Sequence, residues 1–242
     1  MYTFEGRIRY SEVDAGRRLT VEKTIDYFQD CSSFQSEDLG VGLDYMSENH
    51  FAWVINYWQM RFERRPVMGE AVRTGTQPYE FKGILGLRNF MMETQDGERL
   101  ATANSVWSLL DMDKMYPMRI PEELIAKYKT QPRLDMDYKP RKIAVPKEGG
   151  ETSRDLVVLS HHLDTNQHMN NAQYVHFAVM YLPAEAEIRE LRVEYKKQAM
   201  LGDHIKPVIY HTADDVVLVS MNGEDGKPYA VVEMTLLKEG KL

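Results

Sequence analysis

The 242-residue sequence contains a single cysteine, Cys31, so it can form no intrachain disulfide. That composition suits a reducing cytosol. Cys31 falls inside a predicted helix with no histidine near it in sequence, and it reads as a small buried hydrophobe rather than a reactive thiol. No apolar run approaches the roughly 20 residues of a membrane span. The opening Met1-Tyr2-Thr3-Phe4-Glu5-Gly6 has no apolar signal core, so a cytoplasmic protein without a secretory signal is expected. There is no low-complexity tract. Positive charge is not in excess: the net charge of −7 argues against general nucleic-acid binding. No Gly-x-Ser-x-Gly elbow occurs, which weighs against a serine triad. No His-x-x-x-His pair occurs either, which weighs against a helix-borne metallohydrolase site.

What is present is an ordinary globular composition, 43% hydrophobic and 28% charged. By length it allows one large domain or two of about 120 residues. Residues 2–10 alternate as a strand, with Phe4, Ile8 and Tyr10 in phase. Thr20 is a candidate N-cap for a helix over 21–39, with Val21, Ile25, Phe28, Ser32 and Leu39 on its buried stripe and Gly40 closing it. Strands are expected at 51–62, 70–79, 85–93 and 99–112, the last two joined at Asp96-Gly97. Proline then becomes frequent, at Pro117, Pro121, Pro132, Pro140 and Pro146, with a short helix over 121–128. The expected organisation is a first domain over 1–130, a linker over 131–153 and a second domain over 154–242.

The second part repeats the order of the first: a strand at 155–160, a loop, a helix over 172–182 ended by Pro183, then strands at 191–197, 204–211, 216–221 and 229–237. The repeat extends to residues. A shift of 150 places Asp14 on Asp164, Leu19 on Met169 and Ile25 on Val175. A shift of 133 places Arg61 to Glu70 on Glu194 to Asp203. Duplicated domains account for a repeat of this size.

Chemistry concentrates in Leu163-Asp164-Thr165-Asn166-Gln167-His168-Met169-Asn170-Asn171. Asn170 and Asn171 sit at N-cap positions, so the cluster lies at a helix N-terminus that favours negative charge. On an extended backbone Asp164, Asn166 and His168 would share one face. That set offers a base, an orienting group and donors for an oxyanion, as acyl transfer requires. Two other readings stay open: a metal site using His161, His162, Asp164, His168 and His176, and a capping loop without chemistry. If extended, Asp164 and His168 would lie about 13 Å apart, so they cooperate only if the loop bends. The first copy carries Gly16 and Arg18 where the second has Asn166 and His168, which localises the chemistry to the second.

That motif, with Tyr174 beyond it, resembles the active-site motif of acyl-acyl-carrier-protein thioesterases of plastids and bacteria. The resemblance extends along nearly the whole chain: Arg7-Ile8-Arg9-Tyr10-Ser11-Glu12, Trp53-Val54-Ile55, Arg64-Arg65-Pro66-Val67-Met68-Gly69-Glu70, Ser105-Val106-Trp107 and Ile120-Pro121-Glu122-Glu123. It implies an α+β fold of tandem hot dogs, each an antiparallel sheet around one long helix. It implies hydrolysis of the thioester between a fatty acyl chain and the phosphopantetheine of acyl carrier protein, with no metal or other cofactor. Carried over by position, His168 is the general base, Asn166 orients it or polarises the carbonyl, and Asp164 is a nucleophile or sets the site's polarity. Backbone N–H groups at the start of the following helix stabilise the oxyanion. Asn170 and Asn171 are expected at the substrate, and Trp53 and Tyr57 along an acyl pocket in the first domain. The family's Glu-Cys pair is replaced here by Gln198 and Ala199. Gln198 can position a water but cannot take a proton, and Glu194 is an imperfect substitute. Two alternatives follow: an acyl-coenzyme A thioesterase, or a non-hydrolytic acyl or acyl-carrier binding module. Docking of an acidic carrier points to basic clusters at Arg64-Arg65, Lys196-Lys197 and Lys139-Pro140-Arg141-Lys142. Arg17-Arg18 is a further basic pair, and any single cluster reads first as solvated surface. Oligomeric state is open, a homodimer being one outcome.

Overall fold

The computed structural model describes residues 1–183 and 185–237. They divide into two compact units: 1–56 with 62–138, and 57–61 with the described residues from Lys139 onward.

In the first unit, β1 (Tyr2–Arg7) leads through a single 3-10 turn at Tyr10–Glu12 to α1 (Val21–Asp38). The Thr20 hydroxyl accepts the Lys23 N–H and caps this helix. Val21, Ile25, Phe28 and Cys31 form its buried stripe, and Gly40 follows the C-cap Leu39 at φ +69. A short α2 (Leu43–Glu48) comes next, its first N–H held by the Glu37 carboxylate. Then come β2 (Phe51–Phe62), β3 (Ala71–Lys82), β4 (Leu85–Thr94) and β5 (Arg99–Asp111). A two-residue β6 (Tyr116–Pro117) and α3 (Glu122–Lys127) complete the unit. The strand order is β1-β3-β4-β5-β2, and β1 lies antiparallel on β3 from Tyr2↔Thr76 to Arg7↔Ala71. Phe28 of α1 stacks on Phe90 of β4 with ring centroids 5.3 Å apart. An apolar cluster of Val41, Met46, Phe51, Leu109, Ile120, Leu124 and Tyr128 joins α2 and α3 to the sheet.

The second unit holds β7 (Glu151–Thr152), β8 (Leu156–Val157), a 3-10 turn at Ser160–His162 and α4 (Asn171–Val179). It continues with β9 (Ile188–Tyr195), β10 (His204–Ala213), β11 (Val216–Asn222) and β12 (Pro228–Leu236). Its sheet runs β9-β12-β11-β10-β7, and residues 57–61 of β2 pair with β9 from Tyr57↔Glu194 to Arg61↔Glu190.

Three expectations need correction. The strand expected at 155–160 is only two residues of β8, because Val158 exchanges backbone bonds with Gly202 and Asp203 in the turn before β10. The second helix has nine residues against eighteen in α1, and ends at Val179 ahead of Pro183. The stretch expected as a loose connector is packed. The Leu134 N–H and the Tyr138 hydroxyl both donate to the Asn89 side chain in the first unit. Ile143 is buried against Leu218 and Val231 in the second, and its N–H donates to Glu194.

Phe28 is fully buried. Phe28→Ala should lower unfolding free energy by about 3–5 kcal/mol, read by chemical denaturation, because the cavity cannot refill between helix and sheet.

Candidate active site

Residues 164–168 do not run extended. They form a tight turn, which corrects the expectation of a shared strand face. The Asp164 N–H donates to the His168 carbonyl at 2.8 Å, and the Gln167 N–H to the Asp164 carbonyl at 3.1 Å. The carboxylate finishes the turn: Asp164 Oδ1 accepts the N–H of Asn166 at 2.8 Å and of His168 at 3.2 Å. Gln167 takes a left-handed φ of 62° at the bend. Leu163 and Met169 close a bridge across it. The backbones of Asp164 and His168 are thereby brought together, as cooperation between them requires.

The same turn occurs in the first unit. Asp14 N–H meets the Arg18 carbonyl at 2.9 Å, Asp14 Oδ1 accepts the Arg18 N–H at 3.0 Å, and Arg17 takes φ 60°. Each turn is moored to the neighbouring strand connection in the same way. The Leu19 N–H bonds Pro66 O at 2.8 Å, and the Met169 N–H bonds Ala199 O at 2.8 Å. Arg18 bridges Val67, and His168 bridges Met200. The connection itself is a repeated glycine turn, with Gly69 at φ +85° and Gly202 at φ +84°. The offsets of 150 and 133 read from the sequence hold bond by bond.

Side chains separate the copies. In the first, Arg65 Nη1 donates to Asp14 Oδ2 at 2.7 Å. Burial pushes the Asp14 carboxyl up, but the Arg18 N–H and the Arg65 guanidinium outweigh it and hold the carboxyl below the usual range. Gln198 stands at the Arg65 position in the second copy and is exposed, so no cation occupies Asp164 from there. Glu12 accepts the Tyr27 hydroxyl at 2.9 Å, whereas their counterparts His162 and Phe177 meet edge to face at 5.1 Å. His162 Nδ1 accepts the Leu159 N–H at 3.0 Å, which requires the neutral ring. Burial, with His161 and His176 nearby, pushes its pKa down.

His168 and Asp164 are half-buried, and Asn166 is exposed at the tip of the turn. Asn170 is the N-cap of α4: its Oδ1 accepts the Ala172 N–H at 2.8 Å. Its carbonyl takes the Gln173 N–H. Those two amides, expected to face an oxyanion, are therefore engaged within the cap. The Asn171 carbonyl accepts the Tyr195 hydroxyl at 2.9 Å. Tyr57 is fully buried in the second unit with its hydroxyl accepting from Arg192, so it presents no face to a ligand. Trp53 belongs to the first unit, half-buried, its ring 6.4 Å from Phe81. Glu194 is held by Lys196 at 2.9 Å and by the Ile143 N–H, which removes it as a free base. Arg64 is paired with Glu70 and Glu98, and Arg65 with Asp14, so neither is a free docking cation. Cys31 is buried, its thiol pushed up to about 12 chiefly by burial, as an inert side chain requires.

One residue that sequence reasoning quoted without a role connects these parts. The Tyr174 hydroxyl, buried in α4, accepts the Ala199 N–H at 3.1 Å. The Ala199 carbonyl in turn holds Met169. Tyr174 thus fixes the peptide after Gln198 against the residue after His168. Its position four residues beyond the N-cap of a short apolar helix was the available signal.

Two units of antiparallel strands, each with a helix entered through the same carboxylate-closed turn, define a tandem hot-dog protein. Residues 1–128 match the acyl-ACP thioesterase N-terminal domain, and residues 147–229 match the acyl-ACP thioesterase C-terminal domain. The chain belongs to the acyl-ACP thioesterase family. It is 26% identical over 219 residues to a chloroplastic acyl-[acyl-carrier-protein] hydrolase of Cuphea viscosissima, covering 83% of this chain and 52% of that one. It is 20% identical to a chloroplastic oleoyl-acyl carrier protein thioesterase of Arabidopsis thaliana, covering 90% of this chain and 65% of that one. The chain spans about half the length of the curated relatives it matches first, 52% and 50% of two Cuphea proteins. The solved acyl-ACP thioesterase of Bacteroides thetaiotaomicron shares the fold with TM-score 0.89 at 19% identity, over 97% of both chains. The 12:0-ACP thioesterase of Umbellularia californica does so with TM-score 0.86 at 17% identity, over 98% and 96%.

Two outcomes are expected. Tyr174→Phe, which leaves the Ala199 N–H without its acceptor, should cost roughly 1–3 kcal/mol of stability in chemical denaturation. Stability should be full above about pH 6.5, the ordinary histidine value, and fall below it, because the unfolded chain takes up a proton that folded His162 resists. His162→Gln, which keeps an acceptor for Leu159, should flatten that slope when unfolding midpoints are compared at several pH values.

Proposed function

We propose that this protein hydrolyses fatty acyl-acyl carrier protein, releasing the free fatty acid and ending chain elongation. Membership of the family and a second-unit turn that carries His168 and an Asp164 to which no residue at the Arg65 position supplies a cation support this reading. His168 takes a proton from water, and the resulting hydroxide adds to the thioester carbonyl. The tetrahedral intermediate expels the phosphopantetheine thiolate, which recovers the proton from the imidazolium. Asn166, at the tip of the turn, orients the imidazole or polarises the carbonyl. Gln198 positions the water through hydrogen bonds. Asp164 acts through the backbone: with Oδ1 taken by two N–H groups it holds the turn rather than attacking the carbonyl. Trp53 and the apolar cluster of the first unit supply the acyl pocket. Asn170 and Asn171 shape the start of α4 next to the substrate.

For docking an acidic carrier, Arg141 and Lys142 are the best placed of the basic clusters. Both are exposed and carry no ion pair among the described residues. No described helix is long and apolar enough to cross a membrane. We place the reaction in the cytoplasm on the single-cysteine composition. A homodimer is compatible with this reading, and sedimentation velocity decides it.

A second reading, a non-hydrolytic acyl or acyl-carrier binding module, is favoured by one observation: glutamine at 198 cannot accept a proton. Acyl-coenzyme A as the substrate is the third. Purified protein should release free thiol from acyl carrier protein faster than from acyl-coenzyme A. His168→Ala should lower that rate by about 10²–10⁴-fold, and Gln198→Glu should raise it. Full activity in His168→Ala would sink the hydrolase reading. Tight carrier binding with background turnover would favour the binding module.

A further inference from the structure

Under the shift of 133, the connection from β2 to β3 and the connection from β9 to β10 make nearly the same hydrogen bonds. The N–H groups of Glu63 and Arg64 both donate to the Leu100 carbonyl, at 2.9 and 3.3 Å. Those of Lys196 and Lys197 both donate to the Tyr229 carbonyl, at 2.8 and 3.1 Å. The Val67 N–H donates to the Glu70 carboxylate, and the Met200 N–H to that of Asp203, each at 2.9 Å. The carbonyls of Pro66 and Ala199 take matching N–H groups, from Leu19 and Met169. One bond has no counterpart. Pro66 has no N–H to satisfy. The Ala199 N–H, in a fully buried residue, donates to the Tyr174 hydroxyl at 3.1 Å.

The tyrosine is matched to that donor. Under the shift of 150 it falls on Thr24, whose hydroxyl turns back to the Thr20 carbonyl of its own helix at 3.1 Å. Proline goes with threonine in the first copy, and alanine goes with tyrosine in the second. A buried N–H left without an acceptor is costly, so the Tyr174 hydroxyl answers a donor that only the second copy has. Between these bonds stands Gln198. Its side chain is exposed and makes no hydrogen bond among the described residues, whereas Arg65 at the same place is held by Asp14 at 2.7 Å. Its own N–H and carbonyl make none among the described residues either. From Gln198 to Ala199 the chain is therefore fixed through Ala199, by its N–H on Tyr174 and its carbonyl on Met169, the residue after His168.

We infer that Tyr174 is a positioning residue for the His168 site: by holding the Ala199 amide it sets the peptide that carries Gln198, a task that the fixed φ of Pro66 performs in the first copy. Its effect on rate rests on the hydrolase reading and on the place given there to Gln198. Its effect on folding rests on the Tyr174–Ala199 pair alone.

Four variants test this: Tyr174→Phe, Gln198→Ala, the two combined, and Tyr174→Phe with Ala199→Pro. In steady-state hydrolysis of acyl-acyl carrier protein, Tyr174→Phe should lower kcat roughly tenfold and leave KM within about twofold, because a displaced group affects the transition state and not the docking of the carrier. On a Gln198→Ala background the same change should lower kcat by less than about twofold, as expected when one residue acts through another. Ala199→Pro removes the stranded donor and supplies the first copy's residue. It should return both the denaturation midpoint and the kcat of Tyr174→Phe toward those of the parent. A kcat loss as large on the Gln198→Ala background as in the parent would overturn the inference. So would a Tyr174→Phe midpoint that Ala199→Pro fails to raise. A parent protein that binds the carrier without turnover would sink the hydrolase reading instead, and the midpoints would still decide whether Tyr174 serves the Ala199 donor.

Discussion

The carboxylate of Asp164 is what makes residues 164–168 a turn. One oxygen accepts two backbone N–H groups, the carbonyl of His168 accepts a third bond from the same residue, and the imidazole leaves the chain at a fixed point. Without that acceptor the bend at Gln167, in a left-handed conformation that costs a non-glycine residue roughly 1–2 kcal/mol, loses its support. The α4 cap, the Ala199 peptide and Tyr174 all attach to this turn. The position of His168 therefore depends on a hydrogen-bond acceptor more than on a charge.

Duplication makes the dependence visible. Asp14 closes the same turn in the first unit with nearly the same distances, so the turn is architectural and the copies differ in the side chains it carries. Arg65 fills the space before Asp14 in the first copy, and Gln198 leaves Asp164 without a cation in the second. Glu12 and Tyr27 form a hydrogen bond where His162 and Phe177 form a ring contact. The two positions differ as a pair, and a carboxylate facing an aromatic edge without a hydroxyl would lack a partner. The first copy holds its carboxylate in a salt bridge. The second has a carboxylate held by backbone N–H groups alone, in the same turn as a histidine.

Much of this was legible in the sequence. Residues 51–62 read as one long strand because aromatic and β-branched residues fill it, and the structure has that strand with those bounds. Thr20 and Asn170 read as caps because a short side chain with an oxygen can accept a free N–H of the first turn, and both do cap. The repeat read as two offsets, and the hydrogen bonds obey both. What was not legible depended on distant partners. The turn at 164–168 looked like an extended face because alternation is the default for polar residues outside a helix; the bend comes from a carboxylate reaching its own backbone. Helix α2 was missed because its first N–H is held by Glu37, six residues upstream of Leu43. Tyr57 read as a pocket wall from its aromatic neighbours, whereas Arg192, far along the chain, takes its hydroxyl. The proline-rich connector looked loose because its anchors, Asn89 and Glu194, lie in other elements.

The central claim is that Asp164 works as an acceptor that shapes the turn. Steady-state hydrolysis of acyl-acyl carrier protein by Asp164→Asn and Asp164→Ala, measured side by side, tests it most directly. Asparagine keeps the oxygen that receives the Asn166 and His168 amides and removes the charge; alanine removes both. The account predicts that Asp164→Asn stays within about tenfold of the parent rate, a barrier change of roughly 1.4 kcal/mol, while Asp164→Ala falls to background. An Asp164→Asn variant as inactive as Asp164→Ala, with its fold intact, would contradict it and make the carboxylate a reacting group.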